Sequence, residues 1–312
     1  MENSSHITSF NLATYSEIGH IRYFYFSVML TLYLAIILTN SILIGVIIFE
    51  RTLHEPMYLF VCNLSVNELY GSTAVFPSLL VNILSDVHDI SWVYCILQIS
   101  CLYTYGSIEL SNVTVMAYDR YVSICHPLHY NSIMTSTKVY IFIVLIWLYS
   151  FSKFSIVLSL SVRLTLCANI IEKVYCDNYS LVKLACSDTT INNYYGIFNV
   201  FLSIVVPVTL ILYSYIRILR ICLKASKESQ LKAFNTCTPH SVSLVNFSVS
   251  SIFEIGQSRF NLEHVPTAAR IIISIYFLVI PPLINPVIYG VRITKVRTAF
   301  KNFICTRKLS PE

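Results

Sequence analysis

The sequence predicts an all-α membrane protein: a seven-transmembrane helix bundle with a short amphipathic C-terminal helix. Three observations predict it. Apolar runs of about 20 residues, enough for a helix to cross a hydrocarbon core, recur along the chain. Hydrophobic residues make up 55% of the 312 and charged residues only 12%, about half the charge of a soluble domain, and mean hydropathy is +0.67. Lysine and arginine gather in alternate connections. The net charge of +5 is therefore read by its place relative to a membrane, not as a nucleic-acid footprint.

Residues 1–22 read as a polar extracellular tail. They lack the apolar core of a secretory leader, so the first helix is expected to direct insertion itself. Asn3 opens a glycosylation sequon. Residues 23–291 form the bundle. The first span, 23–49, carries Asn40, a rare polar group expected to face other helices. Pro56 then starts the second span, 57–84, at a position where its missing N–H costs nothing. The third, 92–125, is about 50 Å long at 1.5 Å per residue and must tilt or project beyond the bilayer. Pro127 stops it. The fourth, 139–162, is interrupted by Lys153, expected to pair with an acid or to snorkel. A long loop to residue 193 holds Cys167, Cys176 and Cys186, and a second sequon at Asn178. The fifth span, 193–221, has Pro207 in mid-helix. The sixth, 233–255, is the least apolar, with Asn235, His240, Asn246, several serines and Glu254. The seventh, 265–291, contains Pro281, Pro282 and Pro286. Sequons at Asn63, Asn112 and Asn246 fall inside spans and are discounted.

Residues 292–312 read as a cytoplasmic tail. Ile293, Val296, Phe300 and Ile304 alternate there with Lys295, Arg297 and Lys301, a pattern suited to a helix lying on the membrane surface. Cys305 is a candidate for palmitoylation or a plain thiol. If the tail lies inside, 14 of the 21 lysines and arginines fall on the inner side, including Arg51, Arg120, Lys138 and the run from Arg217 to Lys232. That asymmetry puts the amino end outside and the carboxyl end in the cytoplasm of a multi-pass plasma-membrane protein, and it requires an odd number of spans.

On the third helix Leu102, Tyr105, Gly106, Glu109, Val113, Met116 and Arg120 share one stripe at three- and four-residue spacing. Charge is poorly hosted by lipid, so the stripe faces the bundle. Its outer part would line a cavity, with Tyr103 and Ser107 flanking Leu102 and Gly106. Glu68 is a second intramembrane acid. Two carboxylates at one depth cannot both ionise cheaply, so they share a proton or take up a cation. Asp119 and Arg120 end the helix as a charge pair at the inner boundary, suited to act as a switch.

Five strings, in order, carry a resemblance. They are Leu53-His-Glu-Pro-Met-Tyr58, Met116-Ala-Tyr-Asp-Arg-Tyr-Val-Ser-Ile-Cys125, Ser214-Tyr215, Lys232-Ala-Phe-Asn-Thr-Cys-Thr-Pro-His240 and Pro281-Pro-Leu-Ile-Asn-Pro-Val-Ile-Tyr-Gly290. Together they resemble the odorant-receptor branch of the rhodopsin-like G-protein-coupled receptors. Ser123 and the final Gly290 look more like the fish and class I types. The resemblance implies a receptor that binds a small odorant and activates a stimulatory olfactory G protein to raise cAMP. It implies disulfides Cys95–Cys176 and Cys167–Cys186, and a possible sodium ion at Glu68 and Glu109, with a shared proton as the alternative. Glu68 departs from the aspartate common there. It implies that Tyr215 and Tyr289 meet Arg120 in the active state. It adds Asn199, Ser251 and Ile255 to the pocket, with Asn178 as a lid.

No Gly-x-Ser-x-Gly, phosphate loop or His-Glu-x-x-His is present, so no enzyme chemistry is read here. A secondary transporter would suit the intramembrane acids, but the halves show no repeat. A non-olfactory small-ligand receptor of the same architecture is the other alternative. An amine site would want an acid where Leu102 and Tyr103 stand.

Overall fold

The computed structural model describes residues 7–17, 19–224, 226–259, 267–292 and 295–300. Seven long helices form the bundle: α1 (Arg22–Phe49), α2 (Pro56–Leu84), α3 (Trp92–Cys125), α4 (Ser136–Val162), α5 (Thr190–Cys222), α6 (Lys227–Arg259) and α7 (Thr267–Arg292). Four of them, α1, α4, α5 and the apolar stretch of α7, are long and apolar enough by themselves to cross a membrane. The other three hold the buried acids and histidine named next. Glu68 on α2, Glu109 and Asp119 on α3, and His240 on α6 are all buried.

Local chemistry sets the helix ends. Pro56 occupies the first turn of α2. Ser91 caps α3 by accepting from the Tyr94 N–H, and Thr135 caps α4 by accepting from Lys138. In α7, Pro286 has no N–H to give the carbonyl of Pro282. Asn40 of α1 supplies it instead, with Nδ2 2.9 Å from that oxygen. The polar residue of the first span and the prolines of the seventh thus solve one problem together: no backbone acceptor is left stranded in an apolar setting. A second polar seam joins three helices. Trp147 Nε1 donates to Asn63 Oδ1 at 2.9 Å, and Asn63 Nδ2 donates to Asn112 Oδ1 at 3.0 Å. Both asparagines are buried, in accord with discounting their sequons.

The amino-terminal segment is more ordered than a polar tail. Ser9–Leu12 forms a strand, β1, at the centre of a three-stranded sheet. It runs antiparallel to β2 (Asp89–Ser91) and parallel to β3 (Ile170–Ile171). Phe10 and Leu12 are fully buried, and Tyr15 donates to the Val174 carbonyl at 2.7 Å. The alternation of Phe10 and Leu12 with polar neighbours fits a half-buried strand, but its partners lie some 80 and 160 residues away. Helix α6 starts earlier and ends later than its apolar stretch, because a helix continues past the membrane boundary wherever its backbone stays paired. Asn3, Ile293, Lys301, Ile304 and Cys305 lie outside the described residues. Residues 295–300 are helical, with Val296 and Ala299 buried and Lys295 and Arg297 exposed. Lys295 reaches Glu55 at 2.6 Å.

Candidate functional site

A cavity of about 260 Å³ opens between α3, α4, α5, α6 and α7 at the end of the bundle that carries the disulfides. This volume sits just below the roughly 300–1,000 Å³ usual for small-molecule sites. Leu102, Tyr103, Gly106 and Ser107 of α3 line it, with Asn199 of α5 and Ser251 and Ile255 of α6. Asn178 joins them from the loop, so all eight residues read from the sequence as pocket residues face one space. Asn178 carried two expectations, a lid and a sugar acceptor. Its Oδ1 accepts from Ser161 Oγ at 2.8 Å at the cavity wall, an arrangement that suits the lid. A Cβ built on Gly106 would lie 3.8 Å from both the Phe247 and Phe277 rings, so a methyl fits there and a longer side chain enters the cavity or strikes the rings.

The loop is pinned over this space. Cys95 and Cys176 are bridged, with Cα atoms 5.4 Å apart, and so are Cys167 and Cys186, at 5.6 Å. Gln98 Oε1 on α3 also accepts from the Cys176 N–H at 2.8 Å. The roof contains a buried charge cluster that sequence reasoning missed. Lys173 is 5% exposed, and its Nζ lies 2.6 Å from Glu254 of α6 and 3.5 Å from Asp177. Burial pulls the lysine down, but the two carboxylates outweigh this and hold it above its ordinary value. Loop and α6 are thereby tied by charge at the cavity mouth.

Lys153 of α4 departs from both expectations for it. It is 5% exposed, so it does not snorkel. It pairs with no acid among the described residues. Instead Nζ donates to Ser203 Oγ on α5 at 2.7 Å and sits 4.3 Å over the Tyr149 ring. Ser203 in turn donates to Asn199 Oδ1 at 3.0 Å. An ammonium has only donors, so the direction of this chain is fixed from the lysine to the amide. Ser203 lies in a π-helical turn, Phe201–Val205, just before Pro207. Pro207 cannot donate to the Ser203 carbonyl, and such turns gather at functional sites.

Beneath the cavity the rings of Phe247, Phe277 and Tyr105 pack together, with Tyr105 centred 5.5 Å from Phe277 and 6.4 Å from Phe247. Tyr105 then donates to Glu68 Oε2 at 2.8 Å. Gly71 makes room for this ring, since a Cβ there would lie 2.5 Å from it. Asn285 Nδ2 bridges the two acids, at 2.6 Å from Glu68 and 2.9 Å from Glu109, and Asn67 donates to Glu109 at 3.0 Å. Both amides give their N–H groups to carboxylates and leave their own oxygens buried without a donor. Carboxylate plus amide oxygens are what a hard cation takes, so the residues fit sodium. No group of three or more acidic, histidine or cysteine side chains forms a metal site among the described residues, so no cage for a divalent ion is present among them.

At the opposite end Asp119 holds Arg120 through Nε at 3.0 Å and through a second contact from Nη2. Tyr130, in the short helical turn after α3, donates to Asp119 Oδ1 at 2.8 Å. Burial, then the Asp119 charge, pushes this phenol above its ordinary value, so it stays a donor. Tyr215 is half-buried on α5. Tyr289 is fully buried with its hydroxyl 3.3 Å from His240 Nδ1. Neither tyrosine bonds Arg120 in this arrangement.

Residues 29–307 match the family model described as olfactory receptor. The chain is 36% identical over 290 residues to Olfactory receptor 1 of Rattus norvegicus, covering 92% of this chain and 91% of that protein. It is 34% identical over 312 residues to Olfactory receptor 1496 of Rattus norvegicus, covering 99% and 100%. Its fold is similar to that of squid rhodopsin, with a TM-score of 0.74 at 18% identity over 93% of this chain and 88% of that one.

Proposed function

This chain belongs to the olfactory receptor family of G-protein-coupled receptors, and from that premise we propose that it binds a small odorant in the cavity over Phe247 and activates a stimulatory heterotrimeric G protein to raise cAMP. One observation carries the reading: the eight pocket residues line one space whose aromatic floor touches Tyr105, and Tyr105 donates to Glu68 of the carboxylate pair. A ligand that presses differently on Phe247 and Phe277 in two bundle arrangements shifts the balance between them. Glu68 and Glu109, with Asn67 and Asn285 beside them, would hold a sodium ion in the resting arrangement, or the two acids would share a proton. A bound cation would supply positive charge that offsets the two carboxylates. The four side chains position it, and they exchange partners as the helices move.

In this reading residues 1–22 and the disulfide end lie outside the cell, and residues 292–312 lie in the cytoplasm. Arg120 is the switch. Asp119 and Tyr130 hold it at rest, and its release toward Tyr215 and Tyr289 admits the G protein. The test is an odorant screen with a cAMP readout in cells displaying the receptor. Gly106→Leu is expected to abolish responses at normal surface expression, and Arg120→Ala to abolish output while sparing ligand binding. Wild-type signalling by both variants overturns the assignment.

A further inference from the structure

Behind the residues that line the cavity wall and roof lie two buried lysines, and the two differ. Lys173 at the roof is satisfied by Glu254 and Asp177. No carboxylate among the described residues lies within ion-pairing reach of Lys153. A buried cation without an anion is costly, and here the cost is passed along a chain of hydrogen bonds. Nζ donates to Ser203 Oγ, and Ser203 donates to Asn199 Oδ1. Each link polarises the next. The chain ends at Asn199 Nδ2, a donor on a residue only 3% exposed, at the cavity, with no hydrogen-bond partner among the described residues. A buried amide N–H without an acceptor is itself uncommon. Two deficits thus coincide in one wall: a cation lacking an anion and a donor lacking an acceptor. A carboxylate supplies both.

We propose that the cavity selects odorants bearing a carboxylate, which accepts from Asn199 Nδ2 while Lys153 supplies the balancing charge through Ser203. This rests on the cavity being the odorant site and adds the class of ligand. The acid group lies against α5, away from the carboxylates of Asp177 and Glu254, and its hydrocarbon part lies over Phe247 and Phe277. Asn199 touches the ligand; Lys153 acts through Ser203 and is a positioning residue.

The probes are a panel of aliphatic and aromatic carboxylic acids, each with the alcohol, amine and methyl ester of the same skeleton, applied to cells displaying the receptor with a cAMP reporter. Surface display is measured in parallel on every variant. Acids are expected to be the potent agonists. Lys153→Gln is expected to weaken acids by roughly 10- to 100-fold, the range for removing one unit charge several ångströms from the carboxylate in a part-buried site, while the alcohols shift little. Lys153→Arg is expected to retain the acid preference. Should Lys153→Gln fail to reach the surface, Asn199→Asp decides: it places a carboxylate where the amide stood, so acids lose potency and amines gain it. A displayed receptor that answers none of the acids overturns the proposal, as does an equal shift of acids and alcohols in Lys153→Gln, or an unchanged order of preference in Asn199→Asp. Gly106→Leu separates the two levels. If it leaves all responses intact, the cavity itself is misassigned. If it abolishes them while Lys153→Gln shifts acids and alcohols alike, only the carboxylate proposal fails.

Discussion

Replacing Lys173 by methionine removes the cation that Glu254 and Asp177 share at the cavity roof and keeps most of its volume. The lysine side chain is 5% exposed, and its partners Glu254 and Asp177 are 15% and 17% exposed, so little water screens what remains. Two carboxylates are then left beside each other under the loop. Breaking a buried pair by deleting one partner costs about 3–5 kcal/mol. The lower figure is about two powers of ten in the folded-to-unfolded ratio. Thermal melting of purified receptor in detergent is the assay, arranged as a double-mutant cycle with Glu254→Gln. The single variants are expected to be destabilised. The double variant is expected to lose less than their sum by at least about 1 kcal/mol, because the second change removes a charge that the first had stranded. The lysine titrates above its ordinary value in the folded receptor. Its contribution is therefore complete below the unfolded value of about 10.4 and is lost only as pH rises through the folded value. Strict additivity of the two substitutions, or a loss of this contribution near neutral pH, refutes the reasoning.

Three further outcomes follow from the same geometry. Tyr130→Phe deletes the phenol that donates to Asp119 at 2.8 Å; a bond to a charged group is worth about 1.5–3 kcal/mol, so ligand-free cAMP output is expected to rise, and unchanged basal output argues against Tyr130 as a restraint. Gly71→Ala puts a methyl 2.5 Å from the Tyr105 ring; overpacking of this kind costs about 1–3 kcal/mol, and a variant as stable as the parent contradicts the close approach. Non-reducing peptide mapping is expected to recover Cys95 linked to Cys176, and recovery of both as free thiols from folded receptor contradicts the bridge.

How much of this was legible in the sequence depends on the range of the interaction. The third helix spans 92–125 on both readings, because its ends are set locally by Ser91 and Pro127. The cavity stripe on α3 was legible for the same reason: helical spacing alone places Leu102 and Gly106 together. The sixth helix was drawn short, since hydropathy marks the membrane boundary and not the last backbone hydrogen bond. Asn40 was expected to face other helices, but its partner, a carbonyl freed by Pro286, lies 242 residues away. Lys153 misled for a chemical reason. A buried cation suggests an acid, and here a hydroxyl and an amide take its place. Lys173 gave no signal, because a lysine in a polar loop reads as solvated until the loop is folded over Glu254.

The sheet at the disulfide end of the bundle has a consequence for how the receptor is made. Its central strand, Ser9–Leu12, leaves the ribosome before either of its partners. One flanking strand, Asp89–Ser91, follows two helices later, and the other, Ile170–Ile171, comes only after α4. The central strand therefore cannot finish pairing until the chain has grown past α4. Until then Phe10 and Leu12 have no complete shelter, and a strand made before its partners settles only after the later of them. A tag joined ahead of Ser9 leaves that step intact, whereas trimming the chain to Ala13 removes the middle strand and leaves its two neighbours with nothing between them.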